Sequence, residues 1–236
     1  MDFFIRAQAP FSAYRYFQTG AYRATAPVIP PSAAFGLLLN LANIEMRDTM
    51  IGTAITKIRQ DVPCLELAVG AVNQGEISTL YQQLHIYPVN PNDATVKQAE
   101  GRTKGQKALA KMARREILVN LDCMIAIRNP DHVLIDRIQR GLAGEFNGER
   151  YGLPFAGDNS FLFNDINIFD KPPEETYWYV QTKSDEQINS GSCRLTVSID
   201  RTESSKTTSL LYAPESQKRT YPPDNAWTWT PKKPEL

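Results

Sequence analysis

Residues 97–115 read KQAEGRTKGQKALAKMARR. They hold seven basic residues (Lys97, Arg102, Lys104, Lys107, Lys111, Arg114 and Arg115) against one acid, Glu100. The whole chain has 26 basic and 26 acidic residues, so its positive charge is concentrated here. A solvated face usually mixes signs, with acids at i,i+4 to bases. This one does not, and anion binding is the chemistry it fits. Catalysis has thinner support. Metal-independent RNA cleavage needs a base for the 2′-hydroxyl and an acid for the leaving oxygen, and histidine fills both roles best near neutral pH. The chain has two histidines. His132 follows Asp131 at a helix start, where it decorates a cap. His85 stands beside Tyr81 and Tyr87 at strand spacing, where a His–Tyr–Lys site is conceivable. Carboxylates do not fall at metal-ligand spacing, and turns account for Asp158 and Asp165. GxSxG, HExxH, zinc and Walker patterns are missing. The chain reads as a binder without catalytic residues, metal or cofactor.

Two strand-like segments must carry the basic stretch, residues 80–89 before it and 117–127 after it. A charged excursion between them reads as a long hairpin leaving a sheet, with Gly101 and Gly105 permitting turns. Residues 106–116 have helical spacing: Lys107, Lys111, Arg114 and Arg115 on one side, Ala108, Leu109, Met112 and Ala113 on the other.

Earlier in the chain, residues 3–9 alternate as a first strand with Arg6 on the polar face. Residues 10–31 have no period and mix Tyr14, Tyr16, Phe17 and Tyr22 with Arg15 and Arg23. Such a loop either stacks bases and pairs phosphates or is pinned to the core by its aromatics. Pro30, Pro31 and Ser32 open a helix with Ser32 as N-cap, and Ala33, Ala34, Leu37, Leu38 and Leu41 form its apolar face. The start of that helix could receive a phosphate. Residues 64–72 form a buried strand. Asn129, Pro130 and Asp131 start a second helix with Val133, Leu134, Ile138 and Leu142 as its stripe.

The order strand, helix, strand, strand, helix is most of a βαββαβ unit and predicts an α+β ferredoxin-like domain over residues 1–150, with the basic hairpin inserted at about 88–116. The aromatic motif of an RNA-recognition domain is absent. Residues 151–236 bring a Gly-rich loop with Gly152, Gly157 and Asn159, a strand over 161–168, a small β extension from three short strands, and a proline-rich tail. Trp227 and Trp229 in that tail serve either docking on the core or a partner. Cys64, Cys123 and Cys193 lack CxxC spacing, which favours a reducing cytoplasm over a disulfide framework. No secretory leader or membrane span is expected.

Arg6, PPSAAFGLLLNLAN (30–43), the basic hairpin and YGLPFAGDNSFLFNDI (151–166) together resemble the CRISPR-associated Cas-five family of the RAMP superfamily, in its DevS or MYXAN type from type I-B-like systems. The resemblance covers residues 2–198. It implies a ferredoxin-like domain with a hairpin thumb, acting as a cytoplasmic subunit of the Cascade surveillance complex in antiviral defence or RNA-guided transposition. It implies as partners the 5′ handle of the crRNA, a Cas-seven backbone subunit, a Cas-eight-type large subunit, and target DNA near its PAM-proximal end. The basic stretch falls where the thumb lies. Arg6, the helix start at Ser32 and the 152–159 loop fall where relatives grip the handle. Some type I-C relatives cut the precursor RNA with a Tyr, Lys and His site. The alternative for this chain is therefore a metal-independent endoribonuclease.

Overall fold

The computed structural model describes residues 1–16, 22–48, 58–59, 61–86, 109–146, 152–182, 190–200 and 203–232. In chain order its elements are β1 (Phe3–Ser12), β2 (Tyr22–Arg23), α1 (Pro31–Leu41), β3 (Leu65–Asn73), β4 (Glu76–Ile86), β5 (Leu109–Ile127), α2 (His132–Ala143), β6 (Asp165–Phe169), β7 (Tyr177–Gln181), β8 (Cys193–Ser198), β9 (Thr208–Pro214) and β10 (Thr228–Thr230).

Strands β6, β1, β5 and β3 lie side by side in that order, each antiparallel to its neighbour. With α1 connecting β1 towards β3 and α2 connecting β5 to β6, this is the ferredoxin-like arrangement that the order of elements predicts. Strand alternation sends Ile5, Ala7 and Ala9 to the same core as Leu67, Val69 and Ala71 of β3 and Leu121, Cys123, Ile125 and Ile127 of β5. Leu38 and Leu41 of α1 and Leu134, Ile135 and Ile138 of α2 complete that core. Alternate positions, Phe4, Ala68, Met124 and Ala126, form a second buried cluster with Trp178, Ala226 and Trp227. β7 pairs with β3 and leads to β9 and β8. Leu195 and Tyr212 of that extension join the main core, which is why α1 is buried beyond a single stripe. β10 pairs with β3, from Thr228 opposite Leu67 to Thr230 opposite Leu65, so the tail docks on the core.

Two local expectations are corrected. Ser32 does not cap α1. Pro30 is the N-cap, with no side-chain acceptor, and Pro31 begins the helix, because its fixed φ suits a first helical position. Ser32 therefore stands within the first turn. The helix expected over 106–116 is also overturned over its described part, since residues 109–127 are one strand of 19 residues. Its outer half pairs residue by residue with β4, from Glu76 opposite Val119 to Ile86 opposite Leu109. That ladder overrides a local helix preference, as tertiary context commonly does. The shared basic face goes with the helix, because adjacent strand residues such as Arg114 and Arg115 point to opposite sides.

β3 and β4 run in one direction along the same side of β5, separated only by residues 74 and 75. At this junction Gly75 lies so close to β5 that a Cβ would meet the Val119 carbonyl oxygen at 2.7 Å. Asn120 takes a left-handed φ of 58° beside it. Past the junction, β4 and the outer half of β5 continue as an arm, joined at its root by β2, where the predicted fold has its thumb. Lys97, Arg102, Lys104 and Lys107 lie outside the described residues.

Candidate nucleic-acid interface

At the root of the arm three segments distant in sequence meet. β2 pairs in parallel with β5, placing Tyr22 beside Arg114 and Arg23 beside Arg115. An antiparallel bridge pairs Arg15 with Thr25, just past the end of β2. The 152–162 loop closes the third side, with Ala13 N–H donating to the Ala156 carbonyl at 2.9 Å.

Asp158 is the counter-charge. It accepts from the Arg15 guanidinium and, at 3.4 Å, from Nη1 of Arg115, while the Ser160 N–H donates to its other oxygen at 3.0 Å. Burial pushes the Asp158 carboxyl up, but the Ser160 hydrogen bonds and the charges of Arg15 and Arg115 outweigh it and hold it below the usual range. The Arg115 guanidinium is also shifted down, which for a cation disfavours the charged form, first by burial and then by the repulsion of Arg15 and Arg23. Its Nε is buried with no hydrogen-bond partner among the described residues. No described carboxylate forms an ion pair with half-buried Arg23. Two guanidinium groups thus share one carboxylate, with Arg23 as a third cation close enough to repel Arg115, leaving surplus positive charge. Such a site can take a phosphate.

Gly157 makes this closure possible. Its φ is +80°, and a Cβ would meet the Ala13 carbonyl oxygen at 2.4 Å and the Tyr14 ring at 2.7 Å. Only glycine has both the conformation and the clearance.

Other predicted residues have different settings. Arg6 stands on the polar face of β1, but its guanidinium grips the Asp122 carboxylate at 2.9 and 2.8 Å. Burial raises Asp122, and hydrogen bonds from Arg6, Asn73 and Gln8 more than reverse this, so it stays below the ordinary carboxylate range. Tyr14 is buried in the core, its hydroxyl unpartnered among the described residues. The Gly152 carbonyl accepts from the Asn40 side chain at 3.0 Å, tying the loop to α1. Asn159 is exposed. Ser32 is half-buried on α1. Lys111 lies on β5 opposite Leu84. Arg15, Arg23, Arg115 and Gly157 are thus brought together. Sequence reasoning treated Asp158 as a turn residue and missed that it gathers the arginines. The Ser160 contact accounts for the turn signal, so one carboxylate serves both purposes.

His85 is opposite Ala110 on the arm. Exposed His132 has its Nδ1 3.3 Å from Asp131, whose carboxylate caps α2 by accepting from Val133 N–H at 2.9 Å. Among the described residues no helix is long and apolar enough to cross a membrane.

No family model and no curated protein matches the chain. Solved structures do. One, described as "CRISPR RNA-guided surveillance complex", has a TM-score of 0.56 at 13% identity, covering 96% of this chain and 96% of that one. Another, described as "Crystal structure of Cas protein", has a TM-score of 0.47 at 13% identity over 91% of this chain and 94% of that one. The first shares the fold from end to end.

Proposed function

We propose that this chain is a non-catalytic RNA-binding subunit of a type I CRISPR Cascade complex. In this reading it caps the 5′ handle of the crRNA, meets a Cas-seven backbone subunit through its arm, and seats a Cas-eight-type large subunit for target-DNA recognition. The observation that carries the reading is the group of Arg15, Arg23 and Arg115 around the single carboxylate of Asp158 at the arm root. The fold shared with a chain of an RNA-guided surveillance complex supports it. Phosphates of a hooked single strand would supply the counter-charge, and the arm beyond would extend the contact through Lys111 and the 97–107 basic residues.

The test is RNA affinity as a function of salt. Each phosphate contact on a single strand contributes a slope of about −0.7 in log K against log salt. Arg23→Gln is expected to lower the slope by about that amount without altering the fold. Expressed with its operon partners, the protein should also carry a discrete short RNA. Failure to bind RNA, or a slope unmoved by Arg23→Gln together with Arg15→Gln, refutes the site. Cleavage of a repeat RNA in EDTA, abolished by His85→Ala, would establish the endoribonuclease instead.

A further inference from the structure

The arm has a second face. Tyr22, Arg114 and Tyr81 occupy one rung across three adjacent strands, β2, β5 and β4. Facing residues on paired strands point the same way, and the neighbours Arg23 and Arg115 point to the other side. The row is therefore turned away from the Asp158 group. Tyr81 is 69% exposed and Tyr22 44% exposed, so neither ring is spent on the core. Met112 at 58% and Ile77 at 51% continue the same exposed face above and below the row. The Arg114 guanidinium lies 5.5 Å from the centre of the Tyr22 ring, which fixes the orientation of both. The one described acid on this face, Glu116, accepts from the Tyr22 hydroxyl and, at 3.1 Å, from the Thr25 N–H.

We propose that the Tyr22–Arg114–Tyr81 row is a stacking platform for unpaired bases of a single-stranded nucleic acid, distinct from the phosphate site on the opposite face. Strands lie about 4.8 Å apart, so the two tyrosines are rooted roughly 10 Å apart with Arg114 between them. Sheet surfaces that stack two or three bases on aromatics, and guanidinium planes that stack bases, are the recurrent means of holding single strands. Ring faces accept any base, so the platform is indifferent to sequence. Arg114 adds a cation within reach of the connecting phosphates. The arm would then hold a strand by its backbone on one side and by its bases on the other.

This inference rests on the RNA-binding reading, and the experiment separates the two. The full-length protein is titrated with a 12-nucleotide adenine RNA, its DNA counterpart, and an abasic 12-mer of equal charge. The wild type should prefer a base-bearing strand to the abasic one. Tyr81→Ala should weaken that strand by about 5- to 150-fold, the range for loss of one stacked base. It should leave the abasic strand unchanged, and Tyr81→Phe should keep the affinity. Whichever strand responds, RNA or DNA, names the occupant. Equal affinity for abasic and base-bearing strands, or no change on Tyr81→Ala, overturns the platform and leaves the phosphate site standing. No binding to any of the three overturns both.

Discussion

Replacing Gly157 by alanine tests whether the loop that carries Asp158 is held by close packing. Two costs add. A left-handed φ costs a residue with a Cβ about 1–2 kcal/mol. At Gly157, whose φ is +80°, that Cβ would also lie 2.4 Å from the Ala13 carbonyl oxygen, a backbone atom that no rotamer change can move. Relief requires the loop to retreat by about 1 Å, which puts at risk the Ala13 N–H to Ala156 hydrogen bond, worth about 1 kcal/mol. The expected loss is about 2–4 kcal/mol, or roughly 5–15 °C in Tm for a chain of this size. Two other glycines serve as internal controls. Gly144, at the end of α2, has φ +73° but nothing within 4 Å, so Gly144→Ala should cost only the conformational term. Gly152 has open space and no left-handed φ, so Gly152→Ala should move stability by less than about 0.5 kcal/mol. Chemical denaturation of the three variants should rank them 157, 144, 152. The Gly157 variant should also lose RNA affinity, because Asp158 no longer gathers Arg15 and Arg115. A Gly157 variant no worse than the Gly144 variant would refute the packing argument.

Asp122→Asn should cost about 1.5–3 kcal/mol at neutral pH, the range for a hydrogen bond to a charged group. Because Asp122 is held below its unfolded pKa of about 3.9, the folded state binds fewer protons, and this stability is present above that value and lost as pH falls through the folded pKa. The gap between wild type and variant should therefore close in acid. A gap constant from pH 7 to pH 2 contradicts the linkage. Gly141→Ala and Gly36→Ala should have opposite signs. At Gly141 a Cβ would fall 1.8 Å from the Leu41 carbonyl oxygen and force α1 and α2 apart, whereas at Gly36 it meets nothing within 4 Å and gains helix propensity of about 0.8–1 kcal/mol. Equal effects in denaturant titrations would show that the helices do not pack this closely. Trp227→Ala should cost about 3 kcal/mol, since its ring is buried in the cluster that includes Ala68 and Met124 and carries the Arg128 guanidinium at 4.1 Å. A loss under 1 kcal/mol in the same titration would mean that the tail does not hold the sheet.

The sheet was legible because period-two alternation in β1, β3 and the inner half of β5 has one consistent reading, and because β1, α1, β3, β5 and α2 occur in the order of the unit they build. The outer half of β5 was not, since Ala108, Leu109, Met112 and Ala113 fit a helical stripe and only β4 decides otherwise. Chain order likewise hides partners. Arg6 stands on the side of β1 opposite Ile5 and Ala7, as the alternation predicts, but its Asp122 lies 116 residues away. Arg15 and Asp158 are separated by 143 residues. The aromatic row was hidden for a related reason. Tyr22 and Tyr81 become neighbours of Arg114 only because β2 and β4 flank the same strand.

The positions of the counter-charges explain how an electrically balanced chain can still hold an anion. Arg6 is answered within the sheet by Asp122, and Arg128 by Glu66 at 3.2 Å, so those cations serve the fold. Arg15 and Arg115 share one carboxylate, and Arg23 adds a third cation beside them. Burial and mutual repulsion there disfavour the charged form of Arg115. An incoming phosphate would reverse that balance at the point where Arg15, β2, the 152–162 loop and the arm converge. Any ligand that binds only this folded arrangement must stabilise it by mass action. RNA bound at the arm root would thereby fix the angle at which the arm, with its tyrosine row, leaves the sheet.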